Sequence, residues 1–380
     1  MILILPALVI TLDASVARAA SQEANETTEQ ESTFDRIWGL ATLYEGDGPG
    51  LQELSFVGRY HGQYHVTHGE SGEDQGWEHR RIRLGLAGRF LRDFDFKFAL
   101  DMAFEDDRPT DHLTLKNGLT DAFVAYQRSE AFRAVVGKHW IRYTQEGATS
   151  SNRILTVERS LLVNQIWPTP ELASGAMVEG RLGGGELIYR VGAYAGDKQR
   201  GLTRFEAGVG VLTSLGHSFG TVLGADDLLV RADWFYNDGH PDNDAFRNYA
   251  HVVSLGANVD GRKFDLTVDV MAADGLNGVS NAWGLVLLPS YHLTARLEAV
   301  VRYHHAASEE PDGLSAAPRH EEAAGGGVGD NYDSAYAGLN YYVYEPGLKI
   351  MSGVEFSVLD GGNEPGWEGW TLFLGTRVFW

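Results

Sequence analysis

Apolar and polar residues take turns along most of this chain. Phe94, Phe96, Phe98, Leu100, Met102 and Phe104 alternate with Asp95, Lys97, Ala99, Asp101, Ala103 and Glu105. A period of two means an extended strand with one oily and one polar face. Just upstream, Ile82, Leu84, Leu86 and Phe90 alternate with Arg81, Arg83 and Arg89. The break at Leu91-Arg92-Asp93 is long enough only for a tight hairpin. In a soluble sandwich the oily face would meet a second sheet. At this strand length a second setting is open, a strand tilted through a bilayer with aromatics toward lipid and charges toward water.

The rest of the chain decides between them. Strands are expected near 54–66, 79–90, 93–105, 119–127, 132–140, 175–182, 185–195 and 202–213. They continue near 226–237, 249–260, 263–274, 281–292, 295–307, 332–344, 347–359 and 368–380, about sixteen in all, an even number as bacterial barrels require. Short turns at 91–92, 128–131, 183–184, 261–262, 293–294 and 345–346 alternate with longer polar segments at 67–78, 106–118, 141–174, 238–248, 308–331 and 360–367. Two connections fit less well: 196–201 is short for an outer loop and 214–225 is long for an inner turn. A sandwich has no reason to alternate in this way. The expected fold is an all-β transmembrane antiparallel barrel with short periplasmic turns and longer extracellular loops. The last strand, ending at Trp380, is expected to pair with the first so that no edge stays open.

Composition sharpens this picture. Glycine (46), tyrosine (16), phenylalanine (17) and tryptophan (9) suit strands, tight turns and interfacial belts. No apolar run is long enough for a transmembrane helix. Cysteine is absent, which removes disulfides and thiolate metal sites. A net charge of -21 argues against nucleic acid as a partner. Residues 2–12 (ILILPALVITL) followed by Ala17-Arg18-Ala19 have the outline of a secretory signal, so residues 1–20 are expected to be removed on export. The run lacks a basic n-region, as expected if the true start lies upstream of Met1. Residues 21–50 then form a periplasmic segment, disordered over its acidic part, with a short amphipathic helical turn near Phe34 to Tyr44, and 51–380 form the barrel.

Parity assigns the faces. Leu54, Phe56, Tyr60 and Tyr64 point to lipid and turn Arg59, His61, Gln63 and His65 inward. The same rule makes Arg59, Arg81, Arg83, Lys97, Asp101, Arg190, Arg204, Arg231 and Arg302 the expected channel lining. Opposite signs often sit two residues apart, as in Arg204/Glu206 and Arg231/Asp233, so weak selectivity with a modest preference for anions is expected.

WEHRRIRLGLAGRF (77–90), VVGKH (135–139), TSSNRILTVERSL (149–161) and the segment 37–65 resemble the phosphate-selective porin O/P family. That resemblance implies a sixteen-stranded outer-membrane barrel, a homotrimer, that passes anions passively. Its third long loop would fold inward, which makes Arg142, Arg153, Glu158 and Arg159 of 141–174 the constriction residues. The chain departs from the family in its six lysines and in KHWIRYTQEG after Gly137, where a Lys-x-Pro-type segment is common. Expected partners are outer-membrane lipid, lipopolysaccharide and small hydrophilic or anionic solutes, phosphate among them.

Other motifs carry little. Gly216-His217-Ser218-Phe219-Gly220 matches the nucleophile elbow of hydrolases but lacks its strand–turn–helix setting. His61 and His65 lie roughly 13 Å apart on a strand, too far for one ion. No catalytic residue, metal or cofactor is expected. The alternatives are an outer-membrane barrel hydrolase of lipids or esters and a soluble secreted β protein.

Overall fold

The computed structural model describes residues 32–104, 113–166, 172–197, 201–222, 224–345, 347–361 and 366–380. The expected signal segment, the acidic stretch before Ser32 and the acidic pair Asp106-Asp107 lie outside these residues. Sixteen strands close one antiparallel barrel, with the short strand Thr42–Glu45 added against the first: β1 Leu51–Gly69, β2 Gly72–Phe90, β3 Phe94–Phe104, β4 Leu113–Ser129, β5 Phe132–Trp140, β6 Leu172–Leu182, β7 Leu187–Ala195 and β8 Val209–Ser218. They continue as β9 Asp227–Asn237, β10 Tyr249–Asp260, β11 Phe264–Gly275, β12 Ala282–His292, β13 Leu297–Ser308, β14 Asn331–Tyr344, β15 Leu348–Asp360 and β16 Trp367–Phe379. Each strand pairs with its sequence neighbour, and β16 pairs back onto β1 from Gly369↔Gly69 to Phe379↔Arg59. The sheet is closed, so no strand edge is left bare.

The wall is inside out relative to a soluble protein. Phe98, Val136, Trp234, Leu255, Val301 and Leu374 are exposed outward, Leu374 at 51% and Trp234 at 40%. Arg302 and Arg377, on strands of the same wall, face inward and are 1% and 0% exposed. Outward apolar side chains recur on every strand and form a continuous belt suited to hydrocarbon. Short turns (91–93, 130–131, 183–186, 261–263 and 293–296) gather at one end, with the beginning of β1 and the end of β16. At Leu91 and Arg92 the first of these turns holds two non-glycine residues at positive φ, 49° and 69°.

Three expectations about the strands are corrected. Residues 67–78 are not a loop, because β1 and β2 run on and meet at Glu70-Ser71, pairing Gly69 with Gly72. The eighth strand is 209–218 rather than 202–213, so the connection before it lengthens to 196–208 and the one after it starts at 219. This slip explains both connections that looked out of pattern. Arg204 and Glu206 therefore sit exposed in a loop, not on an inward strand face.

At the short-turn end, α1 (Thr33–Gly39) is closed by a capping box, in which Ser32 and Asp35 each accept from the other's backbone N–H (3.1 and 2.9 Å). Phe34 stacks on Tyr344 (5.3 Å), and Trp38 Nε1 donates to Phe379 O (2.7 Å). These contacts tie the segment ahead of the barrel to its last strands.

Candidate pore constriction

The segment from Ile141 to Ile166 enters the barrel. Thr144 starts the turn at φ 58°, and its hydroxyl accepts from Gly147 N (2.9 Å) to cap α2 (Gln145–Ala148). The second helix, α3 (Leu161–Ile166), buries Leu161, Leu162, Val163 and Ile166. Two glycines make room for them. A Cβ at Gly284 of β12 would lie 2.7 Å from Leu162 Cδ1, and one at Gly256 of β10 would lie 2.7 Å from Gln145 Cγ. Around them Leu212, Phe235, Val252, Met271, Val286, Val300 and Phe373 turn inward and form one apolar cluster with Tyr143, Val157 and the α3 residues. The lumen is thus not open throughout: along β10–β13 the loop helices pack against the wall and fill it.

Polar anchors fix the loop in place. Asp233 Oδ2 accepts from Thr144 N (2.9 Å), while Asp269 accepts from Gln145 N and Glu146 N (2.8 and 2.7 Å). Arg302 Nη1 donates to Thr156 Oγ1 (3.0 Å) and Glu158 O (2.7 Å) and pairs with Glu146 (3.3 Å), while Nη2 pairs with Glu355 (2.7 Å). Lys349 Nζ donates to Ile154 O (2.5 Å), and Arg377 Nη2 to Val157 O (2.6 Å). Buried backbone groups away from water need such partners, and here the inward strand side chains supply them.

On the opposite side a cleft stays open. Its walls are Arg59, Arg83, Lys97, Asp121, Phe123, Arg133, Val135, His139, Trp140, Leu172 and Met177 from β1–β6, with Arg142, Ser150, Ser151 and Arg159 from the loop. Six cations and one carboxylate line it. Lys97 pairs with Asp121 (3.3 Å) and Arg83 with Asp101 (3.2 Å), while Arg133, Arg190 and Arg142 surround Glu179 at 2.8, 3.1 and 3.7 Å. Even with Asp101, Asp121 and Glu179 all counted against them, cations predominate. A second cavity of about 440 Å³ lies toward the long loops, between Glu158, Arg159, Leu161, Asn164 and Gln165 on one side and Ser315–Glu322 on the other. Arg159 lines both spaces. It is 6% exposed, with Nη2 donating to Thr149 O (2.9 Å).

Most residues picked out by parity lie on the inner wall, but they divide by task. Arg59, Arg83 and Lys97 meet Arg142 and Arg159 in the cleft. Asp101 and Arg190 neutralise neighbours, and Arg231 and Arg302 hold the loop. Arg81 is buried inward at 3% exposure. Arg153 lies half-buried on the loop and lines neither space. Glu158 faces the second cavity, bonded to Arg80 (2.7 Å) and Gln63 (2.8 Å). Burial alone would raise its carboxyl, but Arg80, Arg319 and Arg81 outweigh that and hold it well below the usual range.

Parity missed Arg80, Arg133, Asp121 and Glu179. Arg80 enters because the register slips between His61↔Arg81 and Gly62↔His79, a bulge that turns an extra residue inward. The motif around Ser218 ends β8, and its hydroxyl donates to Asp227 Oδ1 (2.7 Å) rather than to a histidine.

Residues 55–225 match the family model of phosphate-selective porin O and P. That stretch runs from β1 to just short of β9 and holds the whole basic cleft. Among solved structures, an anion-selective porin from Comamonas acidovorans is 13% identical with a TM-score of 0.59, over 86% of this chain and 99% of that one. OmpF of Salmonella typhi, in complex with daunomycin, is 14% identical with a TM-score of 0.59, over 89% and 100%. The outer membrane channel DcaP of Acinetobacter baumannii is 13% identical with a TM-score of 0.56, over 89% and 99%. No curated protein matches the sequence. At these identities the likeness is one of fold, and the fold is that of a porin.

Proposed function

We propose that this chain is a bacterial outer-membrane porin through which small hydrophilic solutes diffuse passively, with a modest preference for anions, phosphate among them. The route runs from the second cavity past Arg159 into the basic cleft. The observation that carries this reading is the lining of the cleft, where six cations stand against one carboxylate. Positive walls at close quarters raise the local concentration of anions and lower the barrier to their passage. The anion-selective neighbour and the matched family support the same choice. Residues 1–20 act as the export signal, residues 21–50 stay on the periplasmic side, and the apolar belt meets lipid and lipopolysaccharide. Three copies assemble, as the family resemblance implies. The channel is favoured over a barrel hydrolase because Ser218 bonds to Asp227 at the end of a strand.

Liposome swelling tests passive diffusion. Vesicles carrying the folded protein should swell in small uncharged sugars and faster in anionic solutes of the same size. Vesicles that stay intact in every solute would end the channel reading.

A further inference from the structure

At the short-turn mouth of the barrel, well away from the cleft, three side chains from consecutive strands converge. Each of Asp265 (β11), His292 (β12) and Glu298 (β13) offers one donor atom, and these atoms all lie within 4.8 Å of one another. Sheet register holds them together. His292 sits directly opposite Glu298, and Asp265 sits opposite Ser290, two residues before His292 on the same face. We propose that Asp265, His292 and Glu298 form a binding site for a divalent first-row transition cation such as Zn2+ or Co2+.

The donor set suits such an ion: one imidazole and two carboxylates, with sides of the ion left for water. Ligands around a shared ion at about 2.0–2.2 Å stand roughly 4 Å apart or less, so the three donors need close by only about an ångström. Groups behind the carboxylates orient them. Gly261 N donates to Asp265 Oδ1 (3.0 Å), which leaves Oδ2 for His292 Nε2 (3.1 Å). Tyr342 Oη and Asn340 Nδ2 both donate to Glu298 Oε2 (2.6 and 3.3 Å), and Glu298 Oε1 accepts no hydrogen bond from the described residues. Metal ligands are commonly steadied by such outer partners.

A second observation separates these carboxylates from most of the wall; Asp269, which also lacks an ion pair among the described residues, has both oxygens taken by Gln145 N and Glu146 N. Asp95, Asp101, Asp121, Glu179, Asp233 and Glu355 each pair with an arginine or lysine. Among the described residues, Asp265 and Glu298 have no such ion pair. Lys349 acts on Glu298 through its charge but makes no direct ion pair with it, its Nζ donating to Ile154 O. Glu298 is only 2% exposed, and a buried carboxylate without a direct ion pair is costly. Glu345, on the next turn, adds to the negative field at His292. A divalent ion supplies the missing charge. His292 and Asp265 are 41% and 31% exposed on their side chains, so an ion can enter from water. The sequence conceals the set because its members sit on three hairpin-linked strands, with no short spacing to flag them.

The test uses the folded full-length protein in detergent and the metal alone, and does not depend on which solute the pore passes. Titration with Co2+, followed by its visible absorption and by equilibrium dialysis, should give one bound ion per chain. His292→Ala and Glu298→Gln should each weaken binding at least about tenfold while the barrel remains folded on a semi-native gel. If either fails to fold, Asp265→Asn at the rim carries the same expectation. Cu2+ bound to the wild type should show an EPR spectrum with coupling to a single imidazole nitrogen. No binding below about 1 mM, unchanged affinity in the folded variants, or a spectrum without nitrogen coupling would each overturn the site.

Discussion

Arg302→Ala is the sharpest perturbation of the in-folded loop. The side chain is 1% exposed and holds Thr156 Oγ1, the Glu158 carbonyl, Glu146 and Glu355 at 3.0, 2.7, 3.3 and 2.7 Å. Removing one partner of a buried ion pair costs about 3–5 kcal/mol, largely because a charge is left without its counterpart. Here two carboxylates are orphaned, but both keep other donors. Glu146 accepts from Ser160 N (2.8 Å) and Glu355 from Ser334 Oγ (2.6 Å). The lower end of that range, roughly 3 kcal/mol, is therefore expected. A docked loop weakened that much opens on the order of a hundred times more often. Asp233, Asp269, Lys349 and Arg377 still hold its ends, so the barrel itself should stay folded. Single-channel recording should show a larger mean conductance and added flicker, and Arg302→Lys should recover part of the wild-type trace. A folded Arg302→Ala channel with the conductance and noise of wild type would refute the latch.

Other perturbations follow from the same contacts. Arg159→Glu, at the junction of the two open spaces, should lower anion current severalfold with less effect on neutral sugars, as read by conductance and swelling; equal losses for both would mean a steric role alone. Leu91→Asn combined with Arg92→Gly relieves two left-handed non-glycine residues and should stabilise the barrel by about 1–2 kcal/mol in urea unfolding. His320, in the loop 309–330, is lowered to about 4, chiefly by burial. A histidine kept neutral in the docked loop loses stability as pH falls below its unfolded value of about 6.5, and the loss ends near pH 4, on the order of 3 kcal/mol in all. Burial raises the neighbouring Glu321, which opposes this trend. The difference between wild type and His320→Gln isolates it: acid-induced flicker should be weaker in the variant, and identical pH profiles would refute the claim.

Much of the barrel could be read from parity, because a closed wall between oil and water forces every strand to alternate. The strand Phe94–Phe104 shows it most clearly. Parity failed where the backbone departs from a plain ladder. The bulge before Arg81 sends Arg80 inward, and a run of turn-like residues around Leu202 to Gly208 reads as strand until its pairing is seen. The extended hairpin at Glu70-Ser71 was hidden by its polar composition, since a strand rising above the membrane need not be oily. The loop's charged residues were visible, but their division between anchors and open cleft was not. That division depends on which wall the apolar side of α3 chooses. The inward Val286, Val300 and Phe373 that settle it lie far away in sequence and read as ordinary strand residues.

Anion passage turns on the loop leaving open a cleft whose walls are positive. The direct measurement is the zero-current potential of the reconstituted protein in a KCl gradient, for wild type and for a variant with Arg59, Arg83, Lys97 and Arg133 changed to glutamine. Wild type should give a potential of the anion-selective sign, and the variant should move toward the cation-selective side. A cation-selective wild type, or a variant whose potential does not move, would contradict it.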